Sequence, residues 1–597
     1  MARVCRVLPD VPAVDRAFDY LVPQDLRARV HVGTIVRVPL HGRRVRGWVL
    51  ELDAQAHTPR DRTLSIQAVV SAGPPGDVVH LSAWAAWRWA GPRVAFLRAA
   101  SPPNVVSDTA MPECEAAVFP TREAPIELRD EGPRVVRWPP ATSREEMVRA
   151  LVAAEGSTIL IVPDPWEAGA LARMLESEGR HVVVLRGDQP DAARTATWDT
   201  ARRGACVVLG GRVAAFAPVP DLAAAVVLDD LDEALEEERA PTWHALDIVA
   251  ERIRLAGGRL DVISPAPSAE ATAAAVTIAA PARDVERRGW ARLDIVDVRD
   301  EAPGHALLSS SLADSLRRTL DGNGRALCVV NRRGRARLLV CRSCGEPATC
   351  PKCEAAMHDV GDGLECPRCG HRQIAICQHC GSTALRPRRL GVVKLREHLA
   401  ALVPRARVVA VESGSAPMPA FDIAIGTEAV LHRPPHDPER PVRLVAFLDF
   451  DQELLAPRYR AEEQALWLLV RASRRVGGRG SGGAVLAQTR IPDHPVVLAA
   501  RDGNPLRVLD ADLARRRTLQ YPPFGGLAEF SGDAGAVDAA CAALETSAAL
   551  TVLGPSSGRA LVRAPSMEEL CDALDAADLS SARALGRLRV DVNPRRV

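Results

Sequence analysis

Eight of the fourteen cysteines in this 597-residue chain fall between positions 341 and 380. They are Cys341, Cys344, Cys350, Cys353, Cys366, Cys369, Cys377 and Cys380, spaced C-x2-C-x5-C-x2-C-x12-C-x2-C-x7-C-x2-C. Thiolates suit a tetrahedral d10 ion, and a Cys-x2-Cys turn presents two sulfurs to one metal. Four such turns supply two sites of four cysteines each, so two zinc ions per chain are expected. A site filled at every corner by protein leaves no position for substrate, which makes both sites structural. His358, His371 and His379 lie nearby, but the cysteines already suffice. The other six cysteines are scattered singly, unlike a secreted disulfide framework, and point to a reducing, cytoplasmic compartment.

Phosphate chemistry is the second kind to look for, and here the sequence is poor. A phosphate-cradling loop needs GxxxxGK[ST]: glycines for close backbone approach, a lysine on the β- and γ-phosphates, and a hydroxyl on Mg2+. The motif does not occur. Of the 76 basic residues only Lys352 and Lys394 are lysine, the first inside the cysteine block and the second just after it. The arginine excess accompanies much Ala, Val and Gly and reads as a GC-rich coding bias. Net charge is +1, so any nucleic-acid-binding surface must be local.

The elements that must position these residues divide the chain into several domains. Residues 1–100 alternate short apolar runs with turns, with strands expected at 4–8, 19–22, 34–38 and 47–50. A helix is expected over 82–98; its Trp84, Trp87 and Trp89 sit at the spacing of a packed core rather than a base-stacking platform. A polar stretch over 101–132 reads as a linker. From 133 to 279, continuous apolar strands at 158–162, 181–185, 205–209, 224–228 and 259–263 alternate with helices, the pattern of a doubly wound α/β domain. A second such pattern fills 280–504, with strands at 326–330, 407–411, 422–425, 444–448 and 483–488 and the cysteine block as an insertion at 341–380. Residues 505–597 form a small α+β domain. No run reaches the roughly 18 uncharged apolar residues of a membrane span, and the N-terminus lacks the apolar core of a secretory signal.

Asn331-Arg332-Arg333-Gly334 leads into the cysteine block, which closes on Cys377-x2-Cys380-Gly381-Ser382-Thr383. Near the N-terminus stand Val7-Leu8-Pro9, Phe18-Asp19-Tyr20-Leu21-Val22-Pro23 and Gly33-Thr34-Ile35-Val36-Arg37-Val38-Pro39. Further on come Tyr459-Arg460-Ala461-Glu462-Glu463, Gln488-Thr489 with His494-Pro495, Tyr521-Pro522-Pro523-Phe524, Leu553-Gly554-Pro555 and Asp591-Val592-Asn593-Pro594. Together these resemble the PriA family of primosomal replication-restart proteins over nearly the whole chain. The resemblance implies a multidomain α/β fold: a β-rich N-terminal DNA 3′-end-binding domain, two helicase-like lobes, a zinc-binding insertion in the second lobe and an α+β C-terminal domain. It implies nested zinc sites, with Cys341, Cys344, Cys377 and Cys380 on one ion and Cys350, Cys353, Cys366 and Cys369 on the other. It implies that Phe18, Asp19 and Tyr20 help form the pocket for a nascent strand's terminal nucleotide and its 3′-hydroxyl. Two positions depart from the family pattern there: the glycine of Leu40-His41-Gly42 is displaced by one, and Gln67 replaces a pocket lysine. The linker over 101–132 leaves no room for the family's winged-helix domain.

The motor motifs depart further. The phosphate loop's place reads Trp138-Pro139-Pro140-Ala141-Thr142-Ser143-Arg144-Glu145-Glu146, without glycine or lysine. The family's DEEH reads Asp229-Asp230-Leu231-Asp232, its SATP reads Ser264-Pro265-Ala266-Pro267, and its arginine-finger motif keeps Arg475 but has Gly478 at the second arginine. Removing an arginine finger alone lowers related NTPase rates by about 10^3–10^5. The expectation is a DNA-binding primosome scaffold that recognises stalled or branched forks and promotes reloading of the replicative helicase without unwinding DNA itself. Its expected partners are forked DNA with a nascent 3′ end, single-stranded DNA-binding protein, other primosome proteins and that helicase. The alternatives are an active 3′-5′ helicase with a divergent nucleotide site, and a zinc-ribbon interaction module without DNA-end preference.

Overall fold

Alternating apolar and polar residues between positions 3 and 71 form five antiparallel strands in the computed structural model. The structure describes the whole chain except residues 1–2, 12–13, 56–62, 111–121, 129–131, 300, 302–306, 331–337, 388–391, 412–417, 433–436, 546, 548, 557 and 578. The sequence feature at 331–334 and part of the expected linker therefore lie outside the described residues. In spatial order the strands are β2 (Phe18–Val22), β1 (Arg3–Pro9), β4 (Arg43–Leu52), β3 (Ile35–Leu40) and β5 (Ala68–Ser71). The β3–β4 turn places His41 at φ 45° and Gly42 at φ 74°. Two positive φ values give the hairpin turn whose twist matches that of the flanking strands.

The expected helix over 82–98 is two helices, α1 (Gly76–Arg88) and α2 (Arg93–Ala100). The chain breaks because Ala90 takes φ 46° and Pro92 has no N–H to continue the ladder. The tryptophans serve packing, as their spacing suggests. Trp89 is buried and meets Trp84 edge-to-face at 5.4 Å, while Trp87 Nε1 donates to Asp572 at 2.9 Å.

Both α/β lobes have wholly parallel sheets. The first has seven strands, ordered Thr277–Ala279, Arg134–Arg137, Arg259–Ser264, Leu222–Leu228, Ser157–Ile161, Val207–Gly210, Val182–Val184. Arg134–Arg137 escapes an apolar-run reading because it begins and ends with arginine, yet all four residues are buried. Arg134 sits in register with Asp261 on the neighbouring strand and donates to it twice, at 2.6 and 3.0 Å. The second lobe has six strands, ordered Arg292–Asp297, Ala484–Thr489, Val442–Phe447, Arg325–Val329, Ile423–Gly426, Val408–Val411. The cysteine block lies between the strand Arg325–Val329 and the helix Val392–Leu402.

The C-terminal sheet is antiparallel, ordered Thr551–Ser556, Arg559–Ala564, Gly526–Gly532, Leu588–Val592. Its inner face does not make a core of its own. Phe530, Val562 and Leu570 belong to the same apolar cluster as Trp89 of the N-terminal region and Phe216 and Trp243 of the first lobe. No helix among the described residues is long and apolar enough to cross a membrane.

Candidate functional site

Each Cys-x2-Cys pair folds into the same turn. The N–H following the second cysteine donates back to the carbonyl of the first: Gly345 to Cys341, Glu354 to Cys350, Gly370 to Cys366 and Gly381 to Cys377, at 2.8–2.9 Å. That residue has positive φ in all four turns, from 61° to 75°, which favours glycine and explains three of the four identities. The sulfurs of Cys341, Cys344, Cys377 and Cys380 converge in one cluster, and those of Cys350, Cys353, Cys366 and Cys369 in another. Close sulfur pairs stand 3.4–3.6 Å apart. A tetrahedron with metal–sulfur bonds of about 2.3 Å has edges of about 3.8 Å, so both donor sets fit a four-coordinate thiophilic ion. Outer pairs meet outer and inner meet inner. No histidine joins either cluster. The insertion is anchored to the second lobe: Arg368 donates to the Ala456 carbonyl at 3.0 Å, and Ala356 N–H to the Leu455 carbonyl at 3.0 Å.

The cleft between the lobes is where nucleotide chemistry would be sought. Its would-be phosphate loop offers no cradle. Pro139 and Pro140 have no N–H. Ala141 N–H is bonded to the Gly289 carbonyl at 3.0 Å, and Thr142 N–H to the Pro139 carbonyl at 3.2 Å. At the end of this loop Arg144 turns inward, donating to Asp229 at 2.7 Å and to Glu167 at 2.6 Å. Asp229 also receives Arg474 from the second lobe, with Nη2 on Oδ1 at 2.6 Å and Nη1 on Oδ2. Arg474 further donates to the Pro140 carbonyl at 3.3 Å. Asp229 is 1% exposed. Burial would raise its pKa, but Arg144 and Arg474 override burial and hold the carboxylate below its ordinary range. Asp229 is thus the centre of an Arg–Asp–Arg clamp between lobes. Arg475 is also occupied, donating to the Leu431 carbonyl at 2.6 Å and facing Asp164 at 3.5 Å.

Asp230, at the base position of the same motif, is sealed. It is wholly buried, one oxygen accepts the Ser268 N–H at 2.9 Å, and the other has no partner. Burial, opposed by that hydrogen bond, raises its pKa to about 6.

A second buried network joins four parts of the chain. Arg460 of the second lobe donates to Glu270 of the first at 2.9 Å, to Glu463 at 3.1 Å and to Asn593 near the C-terminus at 2.8 Å. Arg516 adds Glu463 at 3.2 Å and Asp512 at 2.7 Å. Glu463 also accepts the Ala269 N–H, at 2.9 Å.

The residues singled out for DNA ends occupy strand β2. Phe18 is half-buried, with the Arg16 guanidinium 5.8 Å from its ring centre. Asp19 lies opposite Arg6 and is ion-paired to it at 3.2 Å, its side chain 4% exposed. Tyr20 is in the sheet core with its hydroxyl donating to the Pro39 carbonyl at 3.0 Å, so its ring face is covered. The sequence reading did not anticipate Arg144 or Arg474 as clamp residues. Their only signal was arginine and acid where glycine, lysine and the base should stand.

A family model described as "3'DNA-binding domain (3'BD)" matches residues 6–102. The probable replication restart protein PriA of Mycobacterium bovis is 31% identical over 580 residues, covering 89% of this chain and 86% of that protein. The replication restart protein PriA of Bacillus subtilis is 25% identical, covering 64% of this chain and 50% of that protein. A structure of yeast Dbp5 bound to RNA and ADP BeF3 covers 65% of this chain and 90% of its own at 10% identity, with a TM-score of 0.31. Fold and site define a two-lobed α/β protein with an N-terminal DNA-binding domain and two four-cysteine clusters. The chain belongs to the replication restart protein PriA family.

Replacing Asp229 with Ala removes the acceptor shared by Arg144, which keeps Glu167, and the half-buried Arg474. The expected loss is about 1–3 kcal/mol, read as a lower urea midpoint together with faster proteolysis between the lobes. An unchanged midpoint refutes the clamp. Asp230→Asn tests the opposite sign. A carboxyl whose folded pKa is raised binds its proton more tightly when folded, so wild-type stability falls as pH rises from about 4 through about 6. The Asn variant is expected to be more stable than wild type by roughly 1–3 kcal/mol at pH 8, with the gain vanishing below about pH 4.

Proposed function

We propose that this protein is a DNA-binding replication-restart factor that recognises stalled or branched forks and promotes reloading of the replicative helicase without ATP-driven unwinding. The observation that carries the last part is the clamp: Arg144 and Arg474 converge on Asp229 where a triphosphate and its Mg2+ would have to sit. In the loop beside it, Ala141 and Thr142 have their N–H groups on the Gly289 and Pro139 carbonyls. Residues 133–279 and 280–504 then act as a rigid frame carrying a DNA-binding domain at 1–100, the insertion at 341–380 and the C-terminal domain at 505–597. Its partners are forked DNA, single-stranded DNA-binding protein, other primosome proteins and the replicative helicase, all in the cytoplasm. DNA-stimulated ATP hydrolysis by the purified protein at ordinary helicase rates, lost on Asp229→Asn, overturns this reading in favour of a divergent helicase.

Zinc is the ion proposed for both clusters, because four thiolates with no open position suit a closed structural site. Metal binding there is coupled to local folding, since the turns alone have little apolar core. Elemental analysis of protein purified under reducing conditions should find two zinc ions per chain. Cys350→Ser and Cys366→Ser should each lose one ion, and the double variant should lose no more than either alone. Loss of both ions in the double variant would break the nested pairing.

For the N-terminal domain, a free 3′-hydroxyl is proposed to bind at the Phe18–Asp19 end of strand β2, next to the Arg6–Asp19 ion pair. An exposed ring face supports a base by roughly 1–3 kcal/mol. Phe18→Ala is therefore expected to weaken forked DNA about tenfold or more, and a 3′-phosphate should weaken wild-type binding through repulsion from Asp19. Equal binding of free and blocked ends leaves only general DNA affinity.

A further inference from the structure

Segment 593–597 leaves the C-terminal sheet and runs between the two lobes. The strand Leu588–Val592 ends before it, and Asn593 turns the chain at φ 59°. Beyond that turn the segment belongs to no helix or strand, yet each of its residues bonds to one lobe or both. On the second lobe, Tyr459 donates its hydroxyl to the Pro594 carbonyl at 3.1 Å and its N–H to the Val597 carbonyl at 3.1 Å. Gln464 donates to the Arg595 carbonyl at 2.7 Å. On the first lobe, Arg595 donates to the Asp230 and Leu231 carbonyls at 3.2 and 3.4 Å and faces Glu236 at 3.9 Å. Arg596 is paired with Glu233, and Pro594 is buried.

The groove beneath this segment is acidic from both sides. Among the described residues Glu233 has Arg596 as its ion-pair partner. Glu428 and Glu453 of the second lobe interact with Glu233 across the cleft and with Arg596 as well. Burial raises both of their carboxyls above the ordinary range; Glu233 raises each further, and Arg596 opposes the rise. Their own lobe supplies Arg471 to Glu428 at 4.0 Å and Arg458 to Glu453 at 3.0 Å. Arg596 is therefore a cation shared by carboxyls of both lobes. Withdrawing it leaves like charges facing one another across a partly buried interface.

We propose that segment 593–597 is a detachable strap that latches the two lobes together, seated as a peptide ligand in a groove that also accepts an extended Pro-Arg-Arg segment supplied in trans. The strap can leave as a unit. Its bonds beyond Asn593 run to side chains and loop carbonyls of the lobes and to the Tyr459 N–H, not to a neighbouring strand. Asn593 keeps its N–H on the Leu527 carbonyl at 2.8 Å, and Val592 keeps its place opposite Ala528, so the C-terminal sheet survives release. The two lobes are rigid only while the strap is seated, whether or not the cleft takes nucleotide.

The test uses the full-length protein carrying Arg595→Glu and Arg596→Glu together. Arg317→Glu, at an exposed arginine paired with Asp314, is the control. Amide hydrogen exchange is followed over residues 229–237 and 457–465, with and without a synthetic peptide of sequence Asn-Pro-Arg-Arg-Val. The reversed strap should leave its groove, and exchange in both stretches, at Tyr459 above all, should rise about tenfold or more. A short tether gives a seated ligand an effective concentration of about millimolar, so peptide at roughly that level should return the variant to wild-type protection. Wild type and the control should not respond, and a peptide with both arginines replaced by glutamate should restore nothing. Unchanged exchange in the variant overturns the proposal. So does restoration by the glutamate peptide, which would remove charge from the recognition. Should the reversal unfold the protein, full-length Arg595→Gln with Arg596→Gln carries the same test. Exchange that rises there and is not restored by the natural peptide makes the segment a fixed part of the fold and overturns the strap. DNA-stimulated ATP hydrolysis by wild type is a different result, which would overturn the motorless reading and leave these outcomes as they are.

Discussion

One carboxylate holds the two lobes in their present relation. Asp229 lies at the end of a central parallel strand of the first lobe, where an open α/β sheet exposes its ligand crevice. Here it accepts from Arg144 of its own lobe and Arg474 of the other. In a buried setting each partner depends on the others, since removing one leaves an uncompensated charge. A motor needs this cleft to open and close with nucleotide. Here protein cations from both lobes meet on the carboxylate in that cleft.

The rest of the interface is built to the same end. Arg460, Arg516, Glu270, Glu463 and Asp512 form a second buried network on the same interface. The C-terminal residues run back over the first lobe, where Arg595 donates to the Leu231 and Asp230 carbonyls and Arg596 meets Glu233. The apolar cluster shared by the N-terminal helices, the first lobe and the C-terminal sheet adds a contact with no polar hinge in it. Against this frame the insertion is held by backbone-directed bonds from Arg368 and Arg490.

Much of this was legible in the chain. Buried parallel strands announce themselves as apolar runs, and the five expected in each lobe are present. Two of those missed carry charge: Arg134–Arg137 hides two buried arginines, and Arg292–Asp297 has an acid at its third and last positions; the other, Thr277–Ala279, is a three-residue edge strand. The break in the 82–98 helix was signalled by Gly91-Pro92 but overshadowed by the tryptophan spacing. At the site, cysteine spacing named the eight clustered cysteines.

The sequence by itself determined what is set by residue type and local spacing: two sets of four cysteines, two doubly wound lobes, a β-rich amino-terminal domain and the lack of a GxxxxGK[ST] motif. Only the tertiary structure decided which charges meet. Arg144, Asp229 and Arg474 are 85 and 245 residues apart in their two pairings, and no local pattern marks them as partners. Nor could spacing reveal that Asp19 is already held by Arg6 or that Tyr20 points into a core. Local preference acts over a few residues, whereas pairing between buried charges is chosen by the packing of whole domains, which alone sets the distance and removes the water.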